Sequence, residues 1–127
     1  MRVALDANRF TDLARGLPDA VRIVETAEEV FLPFAVAAEL KHGFRRGSRQ
    51  HQNEALLAAF LAKPNCGLIF PDEVTLDLYA DLQAQLAKQG TPIPSNDVWI
   101  AAVALQHDPF LYTRDDHFKQ VPQLKLI

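Results

Sequence analysis

The sequence predicts an α/β domain built on a parallel sheet. Short, continuous apolar runs of the kind buried on both faces, "RVALD", "VFLP", "LIFP", "FLYT" and "LKLI", alternate with longer segments of helical apolar spacing. Glycine and proline punctuate the changeovers, as helix–strand alternation requires. No repeat, low-complexity tract or linker divides the chain. Its 127 residues suffice for one hydrophobic core, so 1–127 is expected to be a single domain.

The elements follow in order. "RVALD" is a buried strand that ends at Asp6, with Asn8 behind it as a polar cap. "NRFTDLARG" is a short helix stopped by Gly16, since glycine accepts the left-handed conformation at helix ends. "DAVRIVETAEE" is a second helix and "VFLP" a second strand, whose Pro33 stands where a helix begins. "FAVAAELKHGFRRG" sets Phe34, Ala37, Ala38 and Phe44 on one helical stripe. "QNEALLAAFLAKPNCG" repeats the pattern up to Pro64 and Gly67, and "LIFP" is the third strand. The longest helix, "DEVTLDLYADLQAQLAKQ", has acids in its first turn, Val74, Leu78, Leu82 and Leu86 every fourth residue, and Gly90 after it. "TPIP" is a rigid turn, with Ser95 the expected N-cap of "NDVWIAAVALQH". "FLYT", a helical turn at "DDHFKQ" and "LKLI" complete the chain.

Composition narrows the function classes. With 49% hydrophobic and 23% charged residues the chain reads as globular, and no apolar run approaches the roughly 20 residues of a spanning helix. The N-terminus meets an acid too early for a secretory leader, so a cytoplasmic location is expected. The single Cys66 has no internal disulfide partner and reads as a small strand-end residue. A formal charge of -3 supplies no general basic field, so nucleic-acid binding requires a local patch.

Four acids stand where such a fold collects function. Ligands of open parallel sheets bind beyond the carboxyl ends of strands, where the strand order reverses. Asp6 ends the first strand and Asp115 lies just past the fourth; if those strands are neighbours, both carboxylates share a crevice. Asp97 lies in the first turn of the helix leading to strand four, and Glu39 in the second turn of the helix after strand two. Each has an ordinary explanation alone: a strand-end cap, a helix-dipole acid, a solvated glutamate, a turn former. Together they would repel strongly without a cation. Oxygen donors without cysteine or paired histidine suit Mg²⁺ or Mn²⁺ rather than zinc.

The blocks "LDANRF", "AAELKHG", "PSNDVWIAAVAL" and "LYTRDDHF" resemble, over the whole chain, the PIN-domain endoribonucleases, and most of all the VapC-type toxins of bacterial toxin-antitoxin pairs. The resemblance implies a three-layer sandwich with strand order 3-2-1-4-5, which makes strands one and four neighbours. It implies Mg²⁺-dependent hydrolysis of RNA, a homodimer and a small antitoxin partner. It assigns Asp6, Glu39, Asp97 and Asp115 to the catalytic metal site, with Asn8 and Thr113 in support and Asp116 as an auxiliary acid at most. The family often has threonine where this chain has Ala7, which removes a hydroxyl that would orient the first acid.

The remaining features have more than one reading. Lys41, Arg45, Arg46 and Arg49 either steer RNA phosphates or are solvated charge at a helix C-terminus. Trp99 is expected in the core, and Phe34, Phe44 and Phe60 in the core or in an antitoxin groove. His42, His51, His107 and His117 show no ligand spacing; only His117 falls near the acids, where a structural or surface role is expected. The rival to a nuclease is a catalytically weak PIN-like module that binds RNA or protein. A haloacid-dehalogenase-like phosphatase would need an aspartate where Asn8 stands.

Overall fold

The computed structural model describes all 127 residues. Four parallel strands, β1 (Arg2–Leu5), β2 (Glu29–Pro33), β3 (Cys66–Ile69) and β4 (Phe110–Tyr112), form a sheet in the order β3-β2-β1-β4. Six helices flank it: α1 (Ala7–Ala14), α2 (Pro18–Thr26), α3 (Phe34–Arg46), α4 (Gln50–Leu61), α5 (Glu73–Gln89) and α6 (Ser95–His107). A 3₁₀ turn covers Asp116–Gln120. No helix is long and apolar enough to cross a membrane.

The uniform apolarity of the strands follows from their position. Val3, Ala4 and Leu5 of the central β1 and Val30 and Leu32 of β2 are completely buried, because helices cover both faces of the sheet. Leu5 pairs with Tyr112, so Asp6 and Thr113 leave the sheet side by side at its carboxyl edge. The reversal of strand order between β1 and β4 is thus the crevice that the sequence placed beneath the acids.

Five details differ from the sequence reading. The fifth strand is reduced to a single bridge between Leu111 and Leu126. Backbone bonds from Leu111 N to Lys125 O (2.8 Å) and from Ile127 N to Leu111 O (3.1 Å) put the tail where that strand belongs. A turn over 122–124 leaves too few extended residues for a strand. β3 begins at Cys66 and stops before Phe70 and Pro71, since Pro71 has no N–H to give a ladder. Pro94, not Ser95, is the N-cap of α6, and its carbonyl accepts from Asp97 N at 2.9 Å. On α3 the buried face runs through Ala35, Val36, Ala37 and Leu40, while Ala38 is exposed and Phe34 and Phe44 are half-buried. Val74 is 57% exposed, so only the lower part of the α5 leucine stripe, Leu82 and Leu86, is core.

The helix ends are otherwise built as the residues dictate. Asp72 accepts from Val74 N (2.9 Å) and Thr75 N (3.3 Å) while Thr75 Oγ1 accepts from Asp72 N (2.9 Å), a reciprocal cap on α5. Gly90 closes that helix at φ 74°. Trp99 stacks on Tyr79 with centroids 4.0 Å apart and meets Phe34 edge-on, and Phe60 meets Phe10 edge-on. These aromatics join helices to one another, as core residues do.

Candidate active site

Four elements bring their acids to one edge of the sheet. Asp6 follows β1 directly and is the N-cap of α1, where its Oδ1 accepts from Ala7 N at 2.8 Å. Its Oδ2 accepts from Thr113 Oγ1 at 2.6 Å and from Asn8 Nδ2 at 3.2 Å. Asn8 and Thr113 therefore support Asp6 directly. Thr113 reaches across from the end of β4 to donate its hydroxyl to Asp6.

Asp115 caps the 3₁₀ turn, accepting from His117 N at 2.9 Å, and its own N–H donates to Thr113 Oγ1 at 3.0 Å. Thr113 thus bonds Asp6 with its proton and Asp115 with its lone pair, which couples the two strand ends. Asp97 sits in the first turn of α6, so the helix N-terminus faces this edge. His117 Nδ1 donates to Asp97 Oδ2 at 2.8 Å and lies 3.4 Å from Asp115 Oδ1. Ligand atoms of Asp97, Asp115 and His117 all lie within 4.8 Å of one another.

Electrostatics ties in the other two acids. Glu39 lies on the exposed side of α3, and partial desolvation first, then the charges of Asp6, Asp97 and Asp115, hold its carboxyl above the ordinary range. Burial likewise raises Asp97, opposed by the hydrogen bond from His117 and reinforced by Asp115 and Asp6. His117 is raised in turn, chiefly by its hydrogen bond to Asp97. Neighbouring carboxylates that add to burial in raising Glu39 and Asp97 make an edge of negative charge that a cation would balance. Carboxylate oxygens dominate this edge, a donor type that suits a hard divalent cation.

The structure separates the remaining candidates. Asp116 is turned outward, 83% exposed at its side chain, and pairs with Lys119 at 2.8 Å. Lys41 and Arg45 pair with Glu54 of α4 at 2.7 and 3.6 Å, while Arg46 and Arg49 are exposed without an acidic partner. His117 is exposed yet bonded to two of the acids, a position that the spacing of the four histidines does not signal. Asp12 was also missed. It is 3% exposed inside the first helix and pairs with Arg9 at 3.2 Å and with Arg114. Only the fold joins residues 12 and 114, so no motif announces them.

The PIN domain model matches residues 3–124. The chain belongs to the PIN-domain family. Its curated relatives include Ribonuclease VapC2 of Rickettsia felis, 32% identical over 92 residues that cover 72% of this chain and 67% of the relative. Ribonuclease VapC1 of Haemophilus influenzae is 28% identical over 126 residues, covering 95% and 92%. Among solved structures, VapBC2 of Rickettsia felis bound to a promoter DNA fragment superposes with a TM-score of 0.87 at 26% identity, covering 100% and 98% of the two chains. VapBC-1 from nontypeable Haemophilus influenzae gives 0.84 at 26% identity, covering 100% and 97%. The PIN fold expected from the sequence is thus present, with its last strand shortened.

Proposed function

We propose that this PIN domain is a Mg²⁺-dependent endoribonuclease, the toxin of a toxin-antitoxin pair, acting in the cytoplasm as a homodimer. The observation that carries the reading is the meeting of Asp6 and the Asp115 backbone on Thr113, and of Asp97 and Asp115 on His117, at one strand-end crevice, with Glu39 coupled to them through charge. The VapC ribonucleases among its relatives supply the substrate class. Asp6, Glu39, Asp97 and Asp115 would hold the ion, Mg²⁺ or Mn²⁺.

Bound there, a divalent cation polarises a phosphodiester and lowers the pKa of an attacking water. The chain's own part is positioning and proton handling. Thr113, Asn8 and the Ala7 N–H fix both oxygens of Asp6 in direction. His117 occupies one oxygen of Asp97 and leaves the other free to face the crevice. Glu39 can take a proton from water only in its ionised form, which a bound cation would favour.

The partners rest on further observations. An apolar hollow of about 250 Å³ between α1 and α4, lined by Phe10, Leu13, Leu56 and Phe60, is a seat for an antitoxin side chain. Phe70, Val74 and Leu76 are each more than half exposed around the start of α5, a surface suited to a second copy. The test of activity is cleavage of single-stranded RNA in Mg²⁺ and in EDTA by wild type, Asp6→Ala and Asp97→Asn, purified identically. The expected result is cleavage only by wild type with Mg²⁺, leaving 5'-phosphate and 3'-hydroxyl ends. Equal activity in all three proteins overturns the proposal.

A further inference from the structure

Arg9, Asp12 and Arg114 form a charged group beside the acids that the mechanism does not use. Asp12 is buried, and one of its oxygens receives both guanidinium groups. Arg114 holds its carboxyl below the ordinary carboxylate range, with Arg9 adding to the effect. One carboxylate for two guanidiniums leaves a positive charge in excess. The neighbouring Asp19 is engaged elsewhere, pairing with Arg22 at 3.3 Å.

The two arginines also have donors to spare. Arg9 lies over the Tyr112 ring, 4.3 Å from its centroid, and its Nε is buried with no hydrogen-bond partner. Arg114 is bound by one terminal nitrogen and remains 52% exposed, with the rest of its planar fork free. Both line a polar recess of about 450 Å³ with Tyr112, Leu17 and the acids Asp12 and Asp19, the first paired to the two arginines and the second to Arg22. The recess opens next to the acid edge, because Arg114 stands between Thr113, which bonds Asp6, and Asp115.

We infer that Arg9 and Arg114, anchored by buried Asp12, bind a backbone phosphate of the RNA strand next to the one being cut. The inference rests on the nuclease reading and names the group that places its substrate. A guanidinium held at one nitrogen by a buried carboxylate is fixed in orientation, and so loses little freedom when its remaining donors meet a phosphate. Lys41 and Arg45 share Glu54 in the same ratio, but Arg114 stands between Thr113 and Asp115 and is thereby the cation placed beside the acids.

The test is fluorescence anisotropy of a labelled single-stranded RNA across a salt series, in EDTA so that nothing is cleaved. Arg114→Gln should weaken binding about tenfold and reduce the log–log salt slope by about 0.7, the loss of one phosphate contact. Asp12→Asn should weaken binding less than Arg114→Gln and leave the salt slope undiminished, because it loosens the anchor but removes no cation; a purely structural trio would make the two variants weaken alike. The double variant Asp12→Asn/Arg114→Gln removes the buried charge along with its partner, keeps the fold testable by circular dichroism, and should bind as weakly as Arg114→Gln. Lys88→Gln, a cation on α5 with no part in the group, controls for general charge.

Unchanged affinity and slope in Arg114→Gln overturn the inference, as does a wild type that does not bind. Mg²⁺-dependent cleavage measured in parallel keeps the two claims apart: cleavage by wild type with no Arg114 effect on binding sinks this inference alone. Absence of cleavage sinks the nuclease reading.

Discussion

Asp115 and Asp116 are adjacent in sequence and opposite in fate. Asp115 shares Thr113 with Asp6 and lies within reach of Asp97, while Asp116 turns to solvent and Lys119. Asp115→Ala should therefore lower RNA cleavage more than about 100-fold, and Asp116→Ala should leave it within about twofold, as read by initial rates. The reverse outcome would put the turn out of register by one residue. Thr113→Val keeps the shape but removes the shared hydroxyl, with an expected loss of about 10–100-fold in activity or metal affinity. The distinction between the two acids was legible from the threonine two residues before Asp115. The role of His117 was not, because it depends on the 3₁₀ turn that swings its ring toward Asp97, on a helix 20 positions away in the chain.

At the scale of elements, the sequence located strands and helices well where the pattern was local. Gly90 and the acids at the start of α5 marked both ends of that helix. What failed was cap chemistry and face assignment, which depend on neighbours. Ser95 looks like a cap, yet Pro94 precedes it with its extended backbone and takes the role. Ser95→Ala should for that reason cost almost nothing in thermal stability. Thr75→Val is the contrasting case: Thr75 is fully buried, its hydroxyl accepts from Asp72 N and donates to Gln106. Losing it should cost about 1–3 kcal/mol in urea unfolding, since two polar partners are left unpaired. Val74 belongs to the helical stripe in sequence but lies on the surface beside Phe70 and Leu76. Val74→Glu should convert a dimer to a monomer by light scattering without loss of helix content.

For the molecule as a whole, the acid edge would trade stability for the proposed ion site. Asp97 and Glu39 titrate above their ordinary values of 3.8 and 4.5 in the fold, so the folded state holds these protons more tightly than the unfolded chain. That contribution is complete below about pH 4 and is lost as pH rises through the raised values. Asp12 has the opposite sign: lowered in the fold, it stabilises above 3.8 and fails as pH falls. A divalent cation binds only the deprotonated edge. The gain in melting temperature on adding Mg²⁺ should therefore be larger at about pH 7 than at about pH 5, reaching the equivalent of about 2.7 kcal/mol when the ion is a hundredfold above its Kd. The edge was legible from sequence only with the strand order that the family resemblance implies, since parallel pairing by itself leaves open whether β1 and β4 are neighbours. The Asp12–Arg114 pair escaped notice because a buried ion pair between distant residues leaves no local signature.

The ion site itself is the central claim, and calorimetric titration of metal-free protein with Mg²⁺ and with Mn²⁺ tests it most directly. Saturable binding by wild type, lost in Asp97→Asn and in Asp6→Ala while both variants retain native circular dichroism, is the predicted result. A folded wild type that takes up neither ion would contradict it and favour a PIN-like module whose acids serve structure alone.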